Sequence, residues 1–178
     1  MKKSVLISLV SLLPALAFGG GAPFGDAKSI NEASDLWKAL AAANMAGKNA
    51  IASKPYQGVP PHGAILDTIE GKLTVNGHTG TVIAKRNYGG EGIDAAKVAN
   101  DPAKNLGAVT VMFKREAGYD TGNKDWFYAK FKADGSLHTN PKKMQLAGKV
   151  GKGSDKGCIA CHKAAPGGDF VFNHDRYK

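Results

Sequence analysis

The residues with the clearest chemistry are Cys158–His162, which read Cys-Ile-Ala-Cys-His. Two thiols at this spacing can form thioether bonds with the two vinyl groups of one porphyrin. The histidine that follows them then lies beneath the ring, where its imidazole is the proximal iron ligand. The chain has only two cysteines, and both lie in this motif. The motif therefore predicts one covalent haem c, attached at Cys158 and Cys161, with His162 as the metal ligand.

A Cys-x-x-Cys pair has other uses. It also occurs in thioredoxin-like redox sites, in zinc sites and as a short-loop disulfide. A zinc site of the usual kind requires a second pair of ligands, and the chain has no third cysteine. A thioredoxin-like motif opens a helix near the start of a βαβ unit, whereas this one lies close to the C-terminus. Haem is favoured, and a disulfide or redox pair and a metal site are the alternatives.

The N-terminus has the pattern of a secretory signal peptide. Lys2 and Lys3 form a basic start, residues 5–18 are mostly apolar, and Ala17 ends a small-x-small cleavage pattern. The apolar stretch is too short for a stable transmembrane helix. Residues 1–17 are therefore predicted to be removed, although cleavage as late as residue 19 also fits. Because covalent haem is attached outside the bacterial cytoplasm, export and attachment together predict a periplasmic protein.

The mature chain is predicted to be one basic domain. Cleavage leaves 178 − 17 = 161 residues and lowers the formal charge from +9 to 9 − 2 = +7. Residues 18–28 read as a flexible lead-in and residues 29–178 as the haem domain. The charge suits an acidic redox partner or an anionic membrane surface, and a merely soluble basic surface explains it equally well. Nucleic acid is not an expected partner in this compartment, and no transmembrane span is predicted.

The elements around the motif are mixed. Ser29 and Glu32 have capping-box spacing, and the apolar periodicity that follows predicts a helix to about residue 45. Residues 93–105 suggest a short helix interrupted at Asp101. Strands are predicted over residues 63–69, 81–85, 108–114 and 126–131, with a hairpin loop over 117–124. The predicted class is α+β and β-dominated, an antiparallel sheet with flanking helices and a C-terminal haem-attachment helix.

This organisation excludes the commoner cytochromes. Small electron-carrying cytochromes c have the haem motif near the N-terminus and are mostly helical. Cytochromes c′ have it near the C-terminus, but they require four long amphipathic helices. The middle of this chain is strand and turn, and the chain has 23 glycines.

Several segments together carry a family resemblance. They are residues 61–66 (PHGAIL), 81–88 (TVIAKRNY), 108–114 (AVTVMFK), 118–119 (GY), 125–130 (DWFYAK), 157–162 (GCIACH) and 169–172 (DFVF). In this order they resemble the cytochrome P-460 family, and within it the branch called cytochrome c′-beta. The resemblance implies a β-dominated antiparallel fold, a homodimer, and a five-coordinate haem with an open distal side.

The resemblance leaves two functions open. In the P-460 branch, the enzyme oxidises hydroxylamine and a lysine side chain is cross-linked to the porphyrin. In the c′-beta branch there is no cross-link, the distal pocket is apolar and aromatic, and the protein binds nitric oxide and carbon monoxide. A third class, the simple electron carrier, would require a six-coordinate haem.

Individual residues bear on the choice between these branches. Lys85 ends the segment that carries the cross-linking lysine in the enzymes, and a solvated strand-end lysine is the alternative. The enzyme branch also needs a carboxylate for proton transfer, and Glu116 and Glu91 are the nearest in chain order. Where the enzymes have a distal arginine, this chain has His62 and no arginine, which disfavours hydroxylamine chemistry. Tyr88 is the candidate aromatic cap over the haem, with a half-buried surface aromatic as the alternative.

A sixth iron ligand is not strongly indicated. The candidates are His62, His78, His138, His174, Met45, Met112 and Met144. Ordinary packing or surface roles are favoured for all of them, and His62 is notable because it lies in a matched segment. The sequence therefore favours a periplasmic haem c protein that binds a diatomic gas such as nitric oxide at five-coordinate iron.

Overall fold

The computed structural model describes residues 23–150 and 157–172. The predicted signal peptide (residues 1–17) and His174 lie outside the described residues. Among the helices that the structure describes, none combines the length and the apolar character needed to cross a bilayer.

A six-stranded antiparallel sheet forms the centre of the fold. Its strands are β1 (Tyr56–Gln57), β2 (Ile65–Val75), β3 (His78–Tyr88), β4 (Leu106–Lys114), β5 (Trp126–Phe131) and β6 (Ala147–Gly148). Each strand pairs with its neighbour in the chain, so the sheet order is β1-β2-β3-β4-β5-β6. The α+β, β-dominated class predicted from the sequence is confirmed.

Within the described residues, four α-helices flank the sheet. They are α1 (Ala27–Ala42), α2 (Ala95–Asn100), α3 (Pro102–Asn105) and α4 (Cys158–His162). The interruption predicted at Asp101 is confirmed, because Asp101 ends α2 and its carboxylate caps α3 at the amide of Lys104. The haem motif forms α4, the predicted C-terminal helix.

The start of α1 differs from the prediction. The helix begins at Ala27, and Asp26 is its N-cap, accepting a 2.9 Å hydrogen bond from the amide of Ser29. Ser29 is thus capped rather than the cap. The capping box is wrong for a physical reason, since Glu32 is buried and its carboxylate forms an ion pair with Arg115.

The two faces of the sheet are covered differently. Leu36 and Leu40 of α1 are fully buried in one cluster with Val82, Val109 and Phe113. Burial of each such side chain contributes about 1.5–3 kcal/mol. The opposite face receives α4 and the segment after it, through contacts of strand side chains with Ile159, Phe170 and Val171. We call this second surface the motif face; it comprises Ile83, Lys85, Met112, Tyr128 and Lys130.

A tight hairpin sets the register of β2 and β3. Asn76 and Gly77 connect them and have φ angles of 50° and 80°, as a two-residue type I′ turn requires. Both strands are longer than predicted, since they extend to this turn. The resulting register pairs Lys85 with Thr68 of β2 and with Thr110 of β4.

The turn yields a stability prediction. Gly77→Ala should lower the free energy of unfolding by about 1 kcal/mol, because an alanine at positive φ is strained. The cost arises in the local backbone, since no atom beyond the neighbouring residues lies within 4 Å of a Cβ built at Gly77. Gly122→Ala is the matched control, because that site is equally open and has no positive φ. Urea denaturation of the two variants checks this, and equal midpoints would contradict it.

Candidate functional site

Helix α4 presents the haem motif. Gly157 is its N-cap, and Cys158 and Cys161 are exposed and not joined to each other. Residues three apart on a helix lie on the same side, so both thiols are available to one planar partner. The disulfide alternative is therefore not adopted in this structure.

His162 is held in a defined orientation at the end of α4. Its Nδ1 lies 2.8 Å from the carbonyl oxygen of Phe170, eight residues later. A carbonyl only accepts hydrogen bonds, so Nδ1 carries the hydrogen and Nε2 has a lone pair. Metal-binding histidines are commonly fixed in this way by a bond from the second ring nitrogen. With two thiols exposed on the same helix, His162 and the cysteines fit a covalently attached haem.

Aromatic rings surround His162. Its ring centre lies 5.9 Å from that of Tyr128 and 5.5 Å from that of Phe172, both nearly perpendicular to it. The imidazole is half-buried, and burial, followed by the positive charge of Lys85, lowers its pKa. A lowered pKa keeps the imidazole neutral, which is the form that binds iron.

The tail after α4 is anchored to the motif face. The indole Nε1 of Trp126 donates a 2.8 Å hydrogen bond to the carbonyl oxygen of Asp169, whose carboxylate pairs with Lys114 at 2.8 Å. Phe170, which orients His162, packs in the same cluster as Ile83 and Tyr128. The sheet therefore positions His162, the candidate proximal ligand, through this tail.

Lys85 lies on the motif face, close to His162. Side chains alternate along β3, so Lys85 lies on the same face as Ile83. On β4, Lys85 pairs with Thr110 and Ile83 pairs with Met112. The charge of Lys85 lowers the pKa of both His162 and His62. Lys85 and the haem motif, predicted to share one site, are thus brought together.

His62 is the second histidine at this site. Its ring centre lies 6.4 Å from that of His162, with the two planes at 79°. Its Nδ1 is 3.0 Å from the side-chain oxygen of Asn87 on β3. Burial and then the charge of Lys85 lower the pKa of His62 to about 4, so it is neutral at pH 7.

Tyr88 is not brought to the motif face. It follows Arg86 in the alternation along β3, and its hydroxyl donates a 2.9 Å hydrogen bond to the buried carboxylate of Asp67. Its ring packs with Ile65 and Val98, and burial, followed by the nearby Asp67 carboxylate, raises the pKa of the phenol. Tyr88 therefore packs with Ile65 and Val98 and not in the cluster that contains Ile83, Tyr128 and Ile159.

Glu116 forms an ion pair with Arg115, which also pairs with Glu32 of α1. Both guanidinium NH2 groups of Arg115 are engaged, one by Glu116 at 2.8 Å and the other by Glu32. These side chains line a cavity of about 760 Å³ with Lys28 and His78. Glu91 is exposed in the loop before α2.

Glu70 is a carboxylate that no sequence pattern singled out. It pairs with Ile83 across β2 and β3, and with Asp169 it lines a groove of about 240 Å³ beside the motif face. The alternation of side chains along β2 could have identified it, because the Asn76-Gly77 turn fixes the register and so shows which face Glu70 lies on.

The remaining candidate ligands have other surroundings. The Nε2 of His78 bonds the carbonyl of Lys114 at 3.0 Å, and that of His138 bonds the carbonyl of Gly107 at 3.3 Å. Met45 packs in the α1 cluster, and Met112 lies on the motif face. Met144 is half-buried, and its amide donates a 2.9 Å hydrogen bond to the side-chain oxygen of Asn140.

An antiparallel sheet that carries a C-terminal Cys-x-x-Cys-His helix, with the histidine oriented as a metal ligand, defines a haem-binding protein of the β-rich class. The model of the family "Cytochrome P460" matches residues 68–173, which is more than half of the chain. The chain belongs to the cytochrome P460 family, and haem iron is accordingly its cofactor. No curated protein and no solved structure matches the chain.

Proposed function

We propose that this protein is an exported monohaem c-type cytochrome whose iron binds a diatomic gas, nitric oxide or carbon monoxide. Cys158 and Cys161 would form the thioethers, and His162 would be the proximal ligand. The observation that carries the proposal is the hydrogen bond of His162 Nδ1 to the Phe170 carbonyl, which leaves Nε2 for iron. When bound, haem supplies an iron centre that small π-acceptor ligands can reach.

The cellular setting belongs to the same proposal. The periplasm follows from the signal-like N-terminus together with the attachment motif, and the homodimer follows from the resemblance to the c′-beta branch. An acidic redox partner would complement the basic chain, which has a formal charge of +9 before cleavage.

Hydroxylamine oxidation is the second candidate, and one observation favours it. Lys85 lies on the motif face beside His162, on the segment where the enzymes carry their cross-linking lysine. Polar groups accompany it there, since Lys130 lies on the same face and Glu70 lines the adjoining groove. This surface is less apolar than the c′-beta branch implies. Gas binding remains the preferred function, because Glu116 is paired elsewhere and no arginine takes the place of His62.

Replacing Lys85 separates the two candidates. We expect the ferrous wild-type protein to bind nitric oxide and to oxidise hydroxylamine weakly or not at all. Lys85→Ala should leave the absorption spectrum and nitric oxide binding largely unaltered, because no covalent bond to the porphyrin is lost. Absorption spectra, nitric oxide titration and hydroxylamine turnover provide the measurements.

Lys130→Ala is the matched control for this experiment. Lys130 lies on the same face, and Thr110 is the cross-strand partner of both lysines. The enzyme branch would instead be indicated by vigorous hydroxylamine turnover and a red-shifted Soret band that both disappear in Lys85→Ala and persist in Lys130→Ala.

A further inference from the structure

We propose that Trp126 is a positioning residue for His162, because its indole holds the peptide unit from which the Phe170 carbonyl is directed at Nδ1. Through that carbonyl, Trp126 would control how strongly the imidazole donates to haem iron. This role rests on His162 being the proximal ligand, and so on the function proposed above. It gives a buried tryptophan outside the haem motif a part in the reduction potential of the iron.

The indole of Trp126 is bonded to the tail that follows α4. Trp126 is 1% exposed and lies at the start of β5, in the same cluster as Tyr128. An indole N–H only donates, and a buried donor requires an acceptor. The acceptor is the carbonyl oxygen of Asp169, at 2.8 Å. The sheet therefore fixes the peptide unit that joins Asp169 to Phe170.

Lys114 supports the same contact from β4. It is the cross-strand partner of Trp126, and its ammonium lies 4.6 Å from the centre of the indole ring. Its Nζ is also 2.8 Å from Oδ1 of Asp169. Both members of this ion pair are partly exposed, so the pair contributes little by itself. The buried bond from the indole is therefore the main restraint on Asp169.

The backbone of Phe170 turns its carbonyl toward His162. Its φ angle is 62°, in the left-handed region that a bulky residue rarely adopts. The preceding peptide unit is bonded to Trp126, and Phe170 packs with Ile83 and Tyr128. These restraints direct the Phe170 oxygen to Nδ1 of His162, at 2.8 Å. A conformation this uncommon persists because the surrounding structure enforces it.

The hydrogen bond at Nδ1 affects what the other ring nitrogen of His162 supplies to a metal. An acceptor at the Nδ1 hydrogen makes Nε2 a more basic ligand. A more basic ligand strengthens the bond from iron to histidine and favours ferric over ferrous iron, because ferric iron carries the higher charge. Loosening the Phe170 carbonyl should therefore weaken that bond and raise the reduction potential.

Trp126→Phe tests this role, because it removes the indole N–H and keeps an aromatic ring in the buried cluster. We expect the iron–histidine stretching band of the ferrous holoprotein to move to lower frequency in resonance Raman spectra. At a fixed ambient potential, the ratio of ferrous to ferric protein should rise about fivefold, the factor that corresponds to one ordinary hydrogen bond. Spectroelectrochemical titration gives this ratio whatever the coordination number of the iron.

Trp37→Phe is the matched control. The chain has two tryptophans, and Trp37 lies on α1, where it packs against Phe131 on the opposite face of the sheet. The same substitution there should leave the Raman band and the reduction potential unchanged. Lys114→Gln, which removes the exposed ion pair with Asp169, should move the band less than Trp126→Phe does.

Phe170→Gly is a second variant, in case Trp126→Phe does not fold. Glycine adopts a φ of 62° without strain but does not restrict the chain to it. The carbonyl is then held less firmly while Trp126 is untouched. Both the band and the potential should shift in the same direction as in Trp126→Phe.

Two results would overturn the role of Trp126. One is a folded Trp126→Phe protein whose Raman band and reduction potential match those of the wild type, even if the variant is less stable. Trp126 would then be an ordinary core residue. The other is an equal shift in Trp37→Phe, because the effect would then follow from any loss of packing.

Gas titration of the same proteins distinguishes this role from the proposed function. If the band and the potential shift as expected but the wild type binds neither nitric oxide nor carbon monoxide, Trp126 positions His162 and the gas-binding function fails. If the wild type binds nitric oxide and Trp126→Phe keeps its band and potential, the function holds and the role of Trp126 fails.

Discussion

A protein with both Cys158 and Cys161 replaced by alanine is expected to contain no covalent haem at all. Each thiol can supply one thioether, and the sequence holds no other cysteine. Both thiols are unpaired and exposed on α4, so nothing in the described fold blocks their reaction. Mass spectrometry of the denatured protein, purified after expression with haem-attachment machinery, measures the loss directly.

The single variants are the controls for this experiment. Cys158→Ala and Cys161→Ala should each keep one thioether and therefore the haem mass. The double variant should still fold, because neither cysteine belongs to the buried core. Its far-UV circular dichroism should therefore be that of a sheet-rich protein. A wild-type mass equal to that of the bare chain would contradict the haem c assignment.

The strands that could be predicted from the sequence are those rich in β-branched and aromatic residues. Residues 126–131 form β5 with the predicted limits, and residues 108–114 belong to β4. The polar halves of β2 and β3 were missed, since Glu70 and Lys72 carry no strand propensity. The Asn76-Gly77 turn was the available signal for both. Strand β6 has two residues and is formed by pairing with β5, a non-local contact that local patterns do not encode.

The proposed site can be predicted from the sequence where covalent attachment of haem would fix the spacing of its residues. Cys158, Cys161 and His162 follow from adjacent residues, and Lys85 follows from the family resemblance. Tyr88 failed to reach the motif face because a residue three positions along a strand points to the opposite face from the first. The pairing of His62 with Asn87 joins residues 25 positions apart, so it requires the fold.

The largest stability effect is expected at the buried pair of Asp67 and Arg86. Asp67 is 2% exposed and Arg86 is 4% exposed, and the guanidinium Nε donates to the carboxylate at 2.6 Å. Asp67→Ala would leave a buried guanidinium without its counter-ion. We expect a loss of about 3–5 kcal/mol in the free energy of unfolding. Denaturant titration of the holoprotein, followed by far-UV circular dichroism, gives this value.

Two further variants test that explanation. Asp67→Ala combined with Arg86→Met should recover much of the loss, because the double variant buries no unpaired charge. Asp35→Ala is the surface control, since the exposed Asp35 pairs with an exposed Lys38, and its midpoint should barely move. An Asp67→Ala protein as stable as the wild type would contradict this explanation, because it would mean that water solvates the pair.

Tyr88→Phe connects this pair to the haem site. Its hydroxyl donates to the second oxygen of Asp67, so its removal should cost about 1.5–3 kcal/mol, the usual range for a hydrogen bond to a charged group. The ring remains in the buried cluster of Ile65 and Val98, on the face away from Lys85. The haem spectrum of Tyr88→Phe should therefore equal that of the wild type. A changed spectrum at unchanged stability would return Tyr88 to the haem pocket.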